Sequence, residues 1–329
     1  MNTHNKQAVV GIDVGGTNTK VGILDENGNV LAFTHFPSEA QQEFSDFLKK
    51  LKENVRKLSR SLQNKYELQA VGVGSPNANM LTGMMENPPN FSWGDQVPFV
   101  KGIEKMLGLP VIISNDADAA AIGEMHYGAA KEMSDFIVLT LGTGLGGGIV
   151  IDRELLVGHS GIAGEIGHIN VERSGRQCNC GLKGCLETYA SVTGIRRTVF
   201  KLMADWPTPS PLRDYSFHEL TGNVITDAAL QGDPIAQKAF AYTGEMLGTK
   251  LADLAALFNP EAIILAGGLT RAGTLLLEPA KKVMDKRMFK SFRGKIKLII
   301  SKLEGHQPAI LGAGALAWGL VEKTEKEEV

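Results

Sequence analysis

Three cysteines and one histidine lie close together near the middle of the chain. They are Cys178, Cys180, Cys185 and His168, and no other cysteine occurs among the 329 residues. Three thiolates and one imidazole make a complete tetrahedral ligand set for Zn²⁺. A closed set of four protein ligands is typical of a structural metal rather than a catalytic one. The spacing therefore predicts a structural zinc site.

The alternative for these cysteines is a disulfide with a spare thiol, or three unrelated side chains. The cysteine count is odd, and the N-terminal residues have no apolar signal core. Both observations indicate a reducing compartment, where disulfides are rare. We therefore favour the metal and expect a cytoplasmic protein.

A closed metal site leaves the chemistry to neighbouring residues. Glu165 and Glu187 flank the four ligands on either side. Carboxylates held beside the His168 imidazole by a metal are well suited to bind several hydroxyls of a sugar. Ser75 and Asn90 supply further polar groups elsewhere in the chain.

A glycine- and threonine-rich turn lies between two short apolar runs, Ala8–Ile12 and Val21–Leu24, and predicts a β-hairpin. Backbone amides of such a turn can bind phosphate oxygens. The side-chain hydroxyls of Thr17 and Thr19 would add further donors to these amides. A strand follows the turn, so neither the Walker pattern nor the dinucleotide fingerprint fits. An ordinary glycine hairpin is the alternative. The residues suited to a nucleotide are Asp13, which would hold Mg²⁺ through water, Gly15, Gly16, Thr17, and Lys20, which would meet a phosphate.

A second turn of the same kind occurs about halfway along the chain, at Thr140–Gly148, and includes Thr143 and Gly144. Two such hairpins facing each other could clamp a polyphosphate. Gly267 and Gly268 follow a predicted strand and offer a third close approach, suited to a nucleoside, although a plain strand-to-helix turn explains them equally well. The internal similarity indicates two related lobes.

Asn115 and Asp116 lie where a predicted buried strand meets a helix N-terminus. Ligands of open α/β sheets bind at the carboxyl ends of strands. A carboxylate there can accept a proton from a substrate hydroxyl, as the base in phosphoryl transfer does. The alternative is that Asp116 or Asp118 is simply a helix N-cap.

The remaining pattern predicts an α/β fold with mostly parallel sheets, because strands alternate with helices. The length and 43% hydrophobic content favour two domains. A net charge of -2 gives no basic surface for nucleic acid, and no apolar run is long enough to cross a membrane. The clearest predicted elements are helices Glu39–Leu62, Val100–Leu107, Pro234–Phe258 and Pro308–Lys323, and strands Ala70–Val73, Val111–Ser114, Phe136–Leu141 and Ala262–Ala266.

With these motifs together, the chain resembles the ROK family of bacterial repressors, open-reading-frame proteins and sugar kinases over nearly its whole length. The resemblance implies an α/β, two-lobed actin-like ATPase (ribonuclease H-like) fold with a nucleotide and sugar cleft between the lobes. Residues 1–116 together with 307–329 would form the smaller lobe. Residues 117–306 would form the larger lobe, which carries the zinc site.

The resemblance also implies an activity, namely the ATP-dependent phosphorylation of the 6-hydroxyl of a hexose, with glucose preferred. Asp116 falls on the family's catalytic base, and MgATP would be the phosphoryl donor. The implied partners are ATP and a hexose, with no nucleic acid and no membrane, and a homodimer is expected. The positions that match the family's sugar-binding residues are Asn90, Asn115, Asp116, Glu165, His168 and Glu187.

Asp118 departs from the family pattern, since many members carry asparagine at this position. This difference leaves the preferred sugar open. Kinases for N-acetylglucosamine, N-acetylmannosamine and fructose share nearly all the same motifs. A sugar-responsive repressor would need a helix-turn-helix domain ahead of the first strand, and only seven residues precede that strand here. A sugar sensor without catalysis is the other alternative, which the presence of Asp116 and both hairpins disfavours.

Overall fold

The computed structural model describes residues 6–63, 65–88, 91–303 and 308–327. It divides into two compact units. Unit 1 comprises Met1–Glu132, Leu155–Ala163 and Lys302–Val329, and unit 2 comprises Met133–Glu154 and Gly164–Ser301. The strands and helices within the described residues are β1 (Lys6–Val14), β2 (Asn18–Leu24), β3 (Val30–Pro37), α1 (Phe44–Ser61), β4 (Tyr66–Gly74), β5 (Ala78–Asn79), β6 (Met84–Glu86), β7 (Gln96–Val97), α2 (Phe99–Leu107), β8 (Val111–Ser114), α3 (Asp116–Tyr127), β9 (Phe136–Leu141), β10 (Leu145–Ile151), β11 (Glu154–Leu155), α4 (Val192–Asp205), α5 (Gly222–Leu230), α6 (Pro234–Phe258), β12 (Ala262–Ala266), α7 (Thr274–Arg287), β13 (Lys297–Ile300) and α8 (Pro308–Glu327).

Unit 1 is built on a five-stranded sheet in the order β3-β2-β1-β4-β8, in which β1, β4 and β8 run parallel. Alternate residues of β1 point to opposite faces of this sheet. On one face, Val10 and Ile12 pack in the cluster that contains Phe47 and Leu51 of α1. On the other face, Val9 packs in the cluster that contains residues of α8. The sheet is therefore covered by helices on both sides.

Helix α8 lies very close to the sheet because small residues face each other at the contact. A Cβ on Gly72 of β4 would overlap the backbone carbonyl of Ala313 in α8. Trp318 of the same helix donates from its indole N–H to the Asp25 carbonyl, at 3.0 Å. Glycine at position 72 thus sets how deeply the helix can pack onto the strands.

Two predicted boundaries in unit 1 differ from the structure. The first helix begins at Phe44 rather than Glu39, because Glu39 has φ 48°, which is outside the helical region. The predicted lobe boundary at Asp116 passes through the first turn of α3, whereas the contacts group all of α3 with unit 1. The physical reason is that α3 packs against α8, where Gly123 faces Gly312.

Unit 2 contains a second five-stranded sheet, in the order β11-β10-β9-β12-β13, with β9, β12 and β13 parallel. As in unit 1, an antiparallel hairpin is joined to parallel strands, which agrees with the duplication predicted from the two glycine turns. Helix α6 has the predicted bounds because Asp233 caps its first turn and Asn259 ends it at φ 45°. Within the described residues, no helix combines the length and apolar character needed to span a membrane.

Candidate functional site

The glycine turn of unit 1 joins β1 to β2 as predicted, and its backbone is held by short hydrogen bonds. The amide of Gly15 donates to the Asn18 carbonyl at 3.1 Å, and the Ser38 hydroxyl donates to the Gly15 carbonyl at 2.6 Å. Lys20 forms an ion pair with Asp13 across the hairpin, with 2.8 Å between Nζ and Oδ2. The turn is therefore a fixed loop that carries one paired cation and one paired carboxylate.

The two threonines of this turn have different environments. Gly16 and Thr17 are exposed at the tip. Thr19 is fully buried, and its hydroxyl lies 2.8 Å from the Ser38 hydroxyl. The expectation that Thr19 offers its hydroxyl to a ligand is wrong, because β2 alternates and places this side chain toward the interior. Thr17 keeps an exposed position that a phosphate could reach.

The carboxyl ends of three parallel strands bring the acidic residues of unit 1 to one edge of the sheet. Asp13 pairs with Gly74, and Gly74 pairs with Ser114 in the next strand. Asn115 and Asp116 follow directly after Ser114 and begin α3. The register thus places Asp13 and Asp116 at the same edge, where ligands of open α/β sheets bind.

The N-cap of α3 is Asn115, whose side-chain oxygen accepts from the Asp118 amide at 2.7 Å. Asp118 is buried, and its Oδ2 accepts from the Ser114 hydroxyl at 2.8 Å. Capping therefore does not explain Asp116, which stands in the first turn with its side chain accessible to water. The alternative in which Asp116 or Asp118 is the N-cap is wrong for both residues.

The environment of Asp116 raises the pKa of its carboxyl above the ordinary value. Burial is the larger cause, and the negative charge of Asp13 is the second. Backbone amides of Asp116 and Ala117 act in the opposite direction. Water reaches the side chain, but the surrounding protein limits its hydration. A carboxylate with a raised pKa is a better proton acceptor than a free aspartate.

The structure treats Asn90 and Ser75, the two further polar residues named from the sequence, differently. Asn90 lies outside the described residues. Ser75 is fully buried with its hydroxyl directed to the Met85 sulfur at 3.7 Å, so the expectation that it offers a polar group to a ligand is wrong. The nearby Trp93 is half-buried and packs against the core, with its ring centroid 4.8 Å from that of Phe47.

The glycine turn of unit 2 is held by the beginning of α4. The Thr193 hydroxyl donates to the Thr143 carbonyl at 3.0 Å, and the Val192 amide donates to the Gly142 carbonyl at 2.8 Å. Ala266 pairs with Thr140, so Gly267 and Gly268 begin beside the end of β9. The glycine segments predicted to approach a nucleotide in unit 2 therefore share one edge of its sheet.

Close packing explains part of the glycine content of β10. A Cβ on Gly147 would lie 2.6 Å from the Gly164 carbonyl oxygen, so the segment that leads to Glu165 crosses β10 at this point. Gly147→Ala is expected to destabilise the fold by about 1–3 kcal/mol through overpacking. Urea unfolding measures this change. Gly142→Ala is the matched control, because a Cβ there meets nothing within 4 Å, and an equal loss in both variants would contradict the packing argument.

The four predicted metal ligands come together in unit 2, with their ligand atoms all within 4.8 Å of one another. The sulfurs of Cys180 and Cys185 are 3.7 Å apart, and so are the Cys178 sulfur and the His168 Nδ1. A tetrahedral ion with bonds of about 2.3 Å to sulfur sets its ligand sulfurs about 3.8 Å apart. A disulfide requires about 2.05 Å, so the alternative of a disulfide does not fit. The donor set and its spacing fit one tetrahedral metal ion.

A tight turn presents two of the thiols. The Cys178 amide donates to the Leu182 carbonyl at 2.9 Å, and the Gly181 amide donates back to the Cys178 carbonyl at 3.1 Å. The Leu182 amide lowers the pKa of the Cys180 thiol, whereas burial raises the pKa of the Cys185 thiol to about 12. A metal ion that binds here must therefore displace a firmly held proton from Cys185.

Glu187 connects the metal ligands to the glycine turn. It lies in a single 3₁₀ turn, Leu186–Thr188, where its Oε2 accepts from the Leu145 amide at 3.0 Å and its Oε1 lies 3.8 Å from the Cys178 sulfur. Glu165 is more exposed, and its Oε2 lies 3.8 Å from the His168 Nε2. The two carboxylates and the imidazole thus stand around one metal cluster, as their spacing in the sequence predicts.

Sequence reasoning missed Arg176, which contacts the 3₁₀ turn that carries Glu187. Its position two residues before the first metal-ligand cysteine is the signal that could have identified it. It also missed Ser38, which directly follows β3 and donates from its hydroxyl to the Gly15 carbonyl in the first glycine turn. The two residues lie more than twenty positions apart in the chain. No spacing rule connects such distant positions.

Comparison with known proteins places these features in a family. The profile described as "ROK family" matches residues 9–319. Glucokinase of Streptomyces coelicolor is 35% identical over 313 residues, which cover 94% of this chain and 96% of that protein. The xylose repressor of Caldicellulosiruptor bescii is 29% identical over 311 residues, which cover 94% of this chain and 77% of the repressor.

Among solved structures, the chain is similar to a ROK family glucokinase from Streptomyces griseus in complex with glucose and AMPPNP. The TM-score is 0.80 at 34% sequence identity, and the match covers 95% of this chain and 99% of that one. This likeness confirms the predicted actin-like ATPase fold.

Proposed function

Because this chain belongs to the ROK family, we propose that it is a glucokinase, an ATP-dependent kinase that phosphorylates the 6-hydroxyl of glucose. The observation that carries the proposal is the position of Asp116 in the first turn of α3. There it is free of a capping role and lies at the same sheet edge as Asp13. The similarity to glucokinases over nearly their whole length supports the same reaction.

In the proposed reaction, Asp116 accepts the proton of the 6-hydroxyl while that oxygen attacks the γ-phosphorus of ATP. The bond to the β,γ-bridging oxygen breaks, and ADP leaves. Catalysis of this kind depends on positioning and on electrostatic stabilisation rather than on covalent chemistry by the protein. The raised pKa of Asp116 suits the residue to this proton transfer.

The nucleotide would be bound by the two glycine turns. In unit 1, Gly15, Gly16 and Thr17 would offer backbone and hydroxyl donors to phosphate oxygens. Mg²⁺, when bound with ATP, neutralises phosphate charge, and Asp13 would hold it through water. Lys20 already has Asp13 as a partner, so its ammonium would sit between that carboxylate and a phosphate.

Unit 2 would contribute Thr143, Gly144, Gly267 and Gly268 to the nucleotide, and it would bind the sugar through Glu165, His168 and Glu187. Asn115, and Asn90 outside the described residues, would add hydroxyl contacts from unit 1.

We propose Zn²⁺ as the ion bound by His168, Cys178, Cys180 and Cys185, because three thiolates and one imidazole suit zinc. It would be structural, since all four positions are filled by protein. Its effect would be to fix Glu187 and the His168 ring in place for the sugar. Reduced thiol ligands and ATP as donor suit a cytoplasmic enzyme, and a homodimer is the arrangement that the family resemblance implies.

A sugar-responsive repressor is the alternative that the xylose repressor similarity raises. The kinase is favoured because the glucokinase relative is 35% identical to this chain, whereas the repressor is 29% identical. One test separates the two candidates, namely whether the sugar is phosphorylated.

A coupled assay of ADP release with MgATP tests the proposal. We expect sugar-dependent release with glucose, and a lower kcat/KM with N-acetylglucosamine, N-acetylmannosamine, mannose and fructose. The assay is run on zinc-loaded protein. If no sugar in the panel promotes ADP release, the kinase proposal fails and a sensor becomes the better explanation.

The pH dependence of the reaction follows from the pKa of Asp116. A base must be deprotonated to act, so kcat/KM for glucose is expected to fall as the pH drops through the raised pKa of this carboxyl. Asp13→Asn removes the second cause of the shift, so the acid limb of its residual activity should move to lower pH. Initial rates across the acid and neutral range measure the acid limb of wild type and of Asp13→Asn. If the acid limb of the variant lies at the same pH as that of wild type, the charge of Asp13 does not raise the pKa of Asp116.

A further inference from the structure

Arg176 lies at the start of the turn that presents Cys178 and Cys180, and its guanidinium reaches across to two other segments. Nη1 donates to the Thr188 carbonyl at 2.7 Å and to the Gly194 carbonyl at 2.9 Å. Nη2 donates to the Thr198 hydroxyl at 2.9 Å. One side chain thus joins the cysteine turn, the 3₁₀ turn Leu186–Thr188 and helix α4.

The surroundings of Arg176 show that hydrogen bonding, rather than charge pairing, holds it. Among the ion pairs of the residues that the structure describes, none involves this guanidinium. It instead stacks on the buried Tyr189 ring at 4.5 Å from the centroid, and its own amide donates to the Tyr189 hydroxyl at 3.0 Å. A planar, five-donor group is suited to such a contact, and a lysine cannot reproduce it.

The contact to Thr188 matters because this residue directly follows Glu187. Both oxygens of the Glu187 carboxylate have a defined neighbour. Oε2 accepts from the Leu145 amide, and Oε1 lies beside the Cys178 sulfur. Arg176 fixes the backbone of the 3₁₀ turn on one side and the cysteine turn on the other. Its loss would remove the side-chain hydrogen bond that joins this backbone to the cysteine turn.

We propose that Arg176 is a positioning residue that orients the Glu187 carboxylate for the sugar. The expected effect on glucose kinetics rests on the proposed function. The contacts between Arg176 and the turn that carries Glu187 lie within unit 2 and do not depend on that function. A general stabilising role predicts something different. It predicts that sugar binding, nucleotide binding and metal content decline together when Arg176 is changed.

The test compares Arg176→Lys and Arg176→Met with wild type and with the control Arg213→Met. Arg213 is a matched control because its guanidinium also donates to three backbone carbonyls of unit 2, those of Met203, Trp206 and Thr208. For each protein we measure zinc per chain, the KM for glucose, the KM for ATP and kcat. Hydrogen exchange of the Leu145 amide by NMR reports directly on the bond to Glu187.

We expect both Arg176 variants to keep one zinc per chain and a KM for ATP within about twofold of wild type. The KM for glucose should rise by at least tenfold, and the Leu145 amide should exchange at least tenfold faster. Arg213→Met should change neither. If Arg176→Met fails to fold, Arg176→Lys decides the question alone, with the same two criteria.

Unchanged Leu145 exchange in a folded Arg176 variant would overturn the inference, and so would a rise in both KM values accompanied by loss of zinc. Failure of the proposed function looks different, because wild type itself would then show no glucose-dependent ADP release. The exchange measurement needs no substrate, so it still decides whether Arg176 holds Glu187 in that case.

Discussion

Asp116→Asn is expected to lower kcat by about 10²- to 10⁴-fold, the range that a positioned general base contributes. Asparagine has the same size and can still accept hydrogen bonds, but it cannot take the proton of the 6-hydroxyl. Glucose should therefore still bind, with a Kd close to that of wild type. Single-turnover rates and a glucose titration separate the two effects.

The control for this substitution is Asp118→Asn. Asp118 is buried and bonded to Ser114, so its amide variant can keep that hydrogen bond and should retain turnover close to wild type. Near-normal turnover in Asp116→Asn, together with a large loss in Asp118→Asn, would transfer the role of base to Asp118.

The same substitution of Asp116 has an expected effect on stability. The pKa of this carboxyl is raised in the folded protein, so the folded state holds its proton more tightly than the unfolded state does. Its contribution to stability is therefore present at low pH and is lost as the pH rises through that raised pKa. At neutral pH, Asp116→Asn should raise the Tm, and the difference from wild type should shrink as the pH falls. A lower Tm at pH 7 would contradict this account.

The second large effect is expected from the metal ligands. Cys180→Ser should lower the zinc content well below one per chain and raise the KM for glucose by at least about tenfold, since even residues that only support metal ligands often change metal affinity or activity by 10- to 100-fold. Cys180 is exposed, so its replacement removes a ligand with little loss of packing. Elemental analysis of the purified protein and glucose kinetics measure both quantities.

Leu182→Ser is the matched control for the cysteine variant. This side chain is 60% exposed in the same turn, and the substitution keeps the carbonyl that accepts from the Cys178 amide. It should keep zinc and the wild-type KM for glucose. Full activity in protein stripped of metal by a chelator would show that the ion does not hold the sugar-binding carboxylates.

Local signals in the sequence predict many of the elements, and their failures have local causes. Helix α6 has the predicted bounds because an aspartate, a proline and an asparagine mark its ends. The start of α1 differs because periodicity cannot reveal the left-handed backbone at Glu39. The lobe boundary differs because it depends on α3 packing against α8, a contact between segments nearly 200 residues apart.

The same distinction holds for the candidate site. The metal ligands lie within eighteen residues of one another, so their types and spacing were sufficient to predict the cluster. Side-chain direction was not predictable in the same way. Thr19 and Ser75 point inward because of strand alternation and loop packing, and Asn115 takes the cap position that Asp116 could equally have filled. Arg176 acts on Thr188 and Gly194, and no motif links those positions.

The packing of α8 has a consequence for how the chain is made. Its residues Ile310 and Ala317 complete the hydrophobic cluster around Val9 and Ala70, which leave the ribosome more than two hundred residues earlier. At bacterial or eukaryotic rates of about 5–20 residues per second, that interval lasts on the order of ten to fifty seconds. Unit 2 is nearly continuous in the chain and can finish folding in this time. Unit 1 cannot cover this apolar face of its sheet until its last helix has been synthesised.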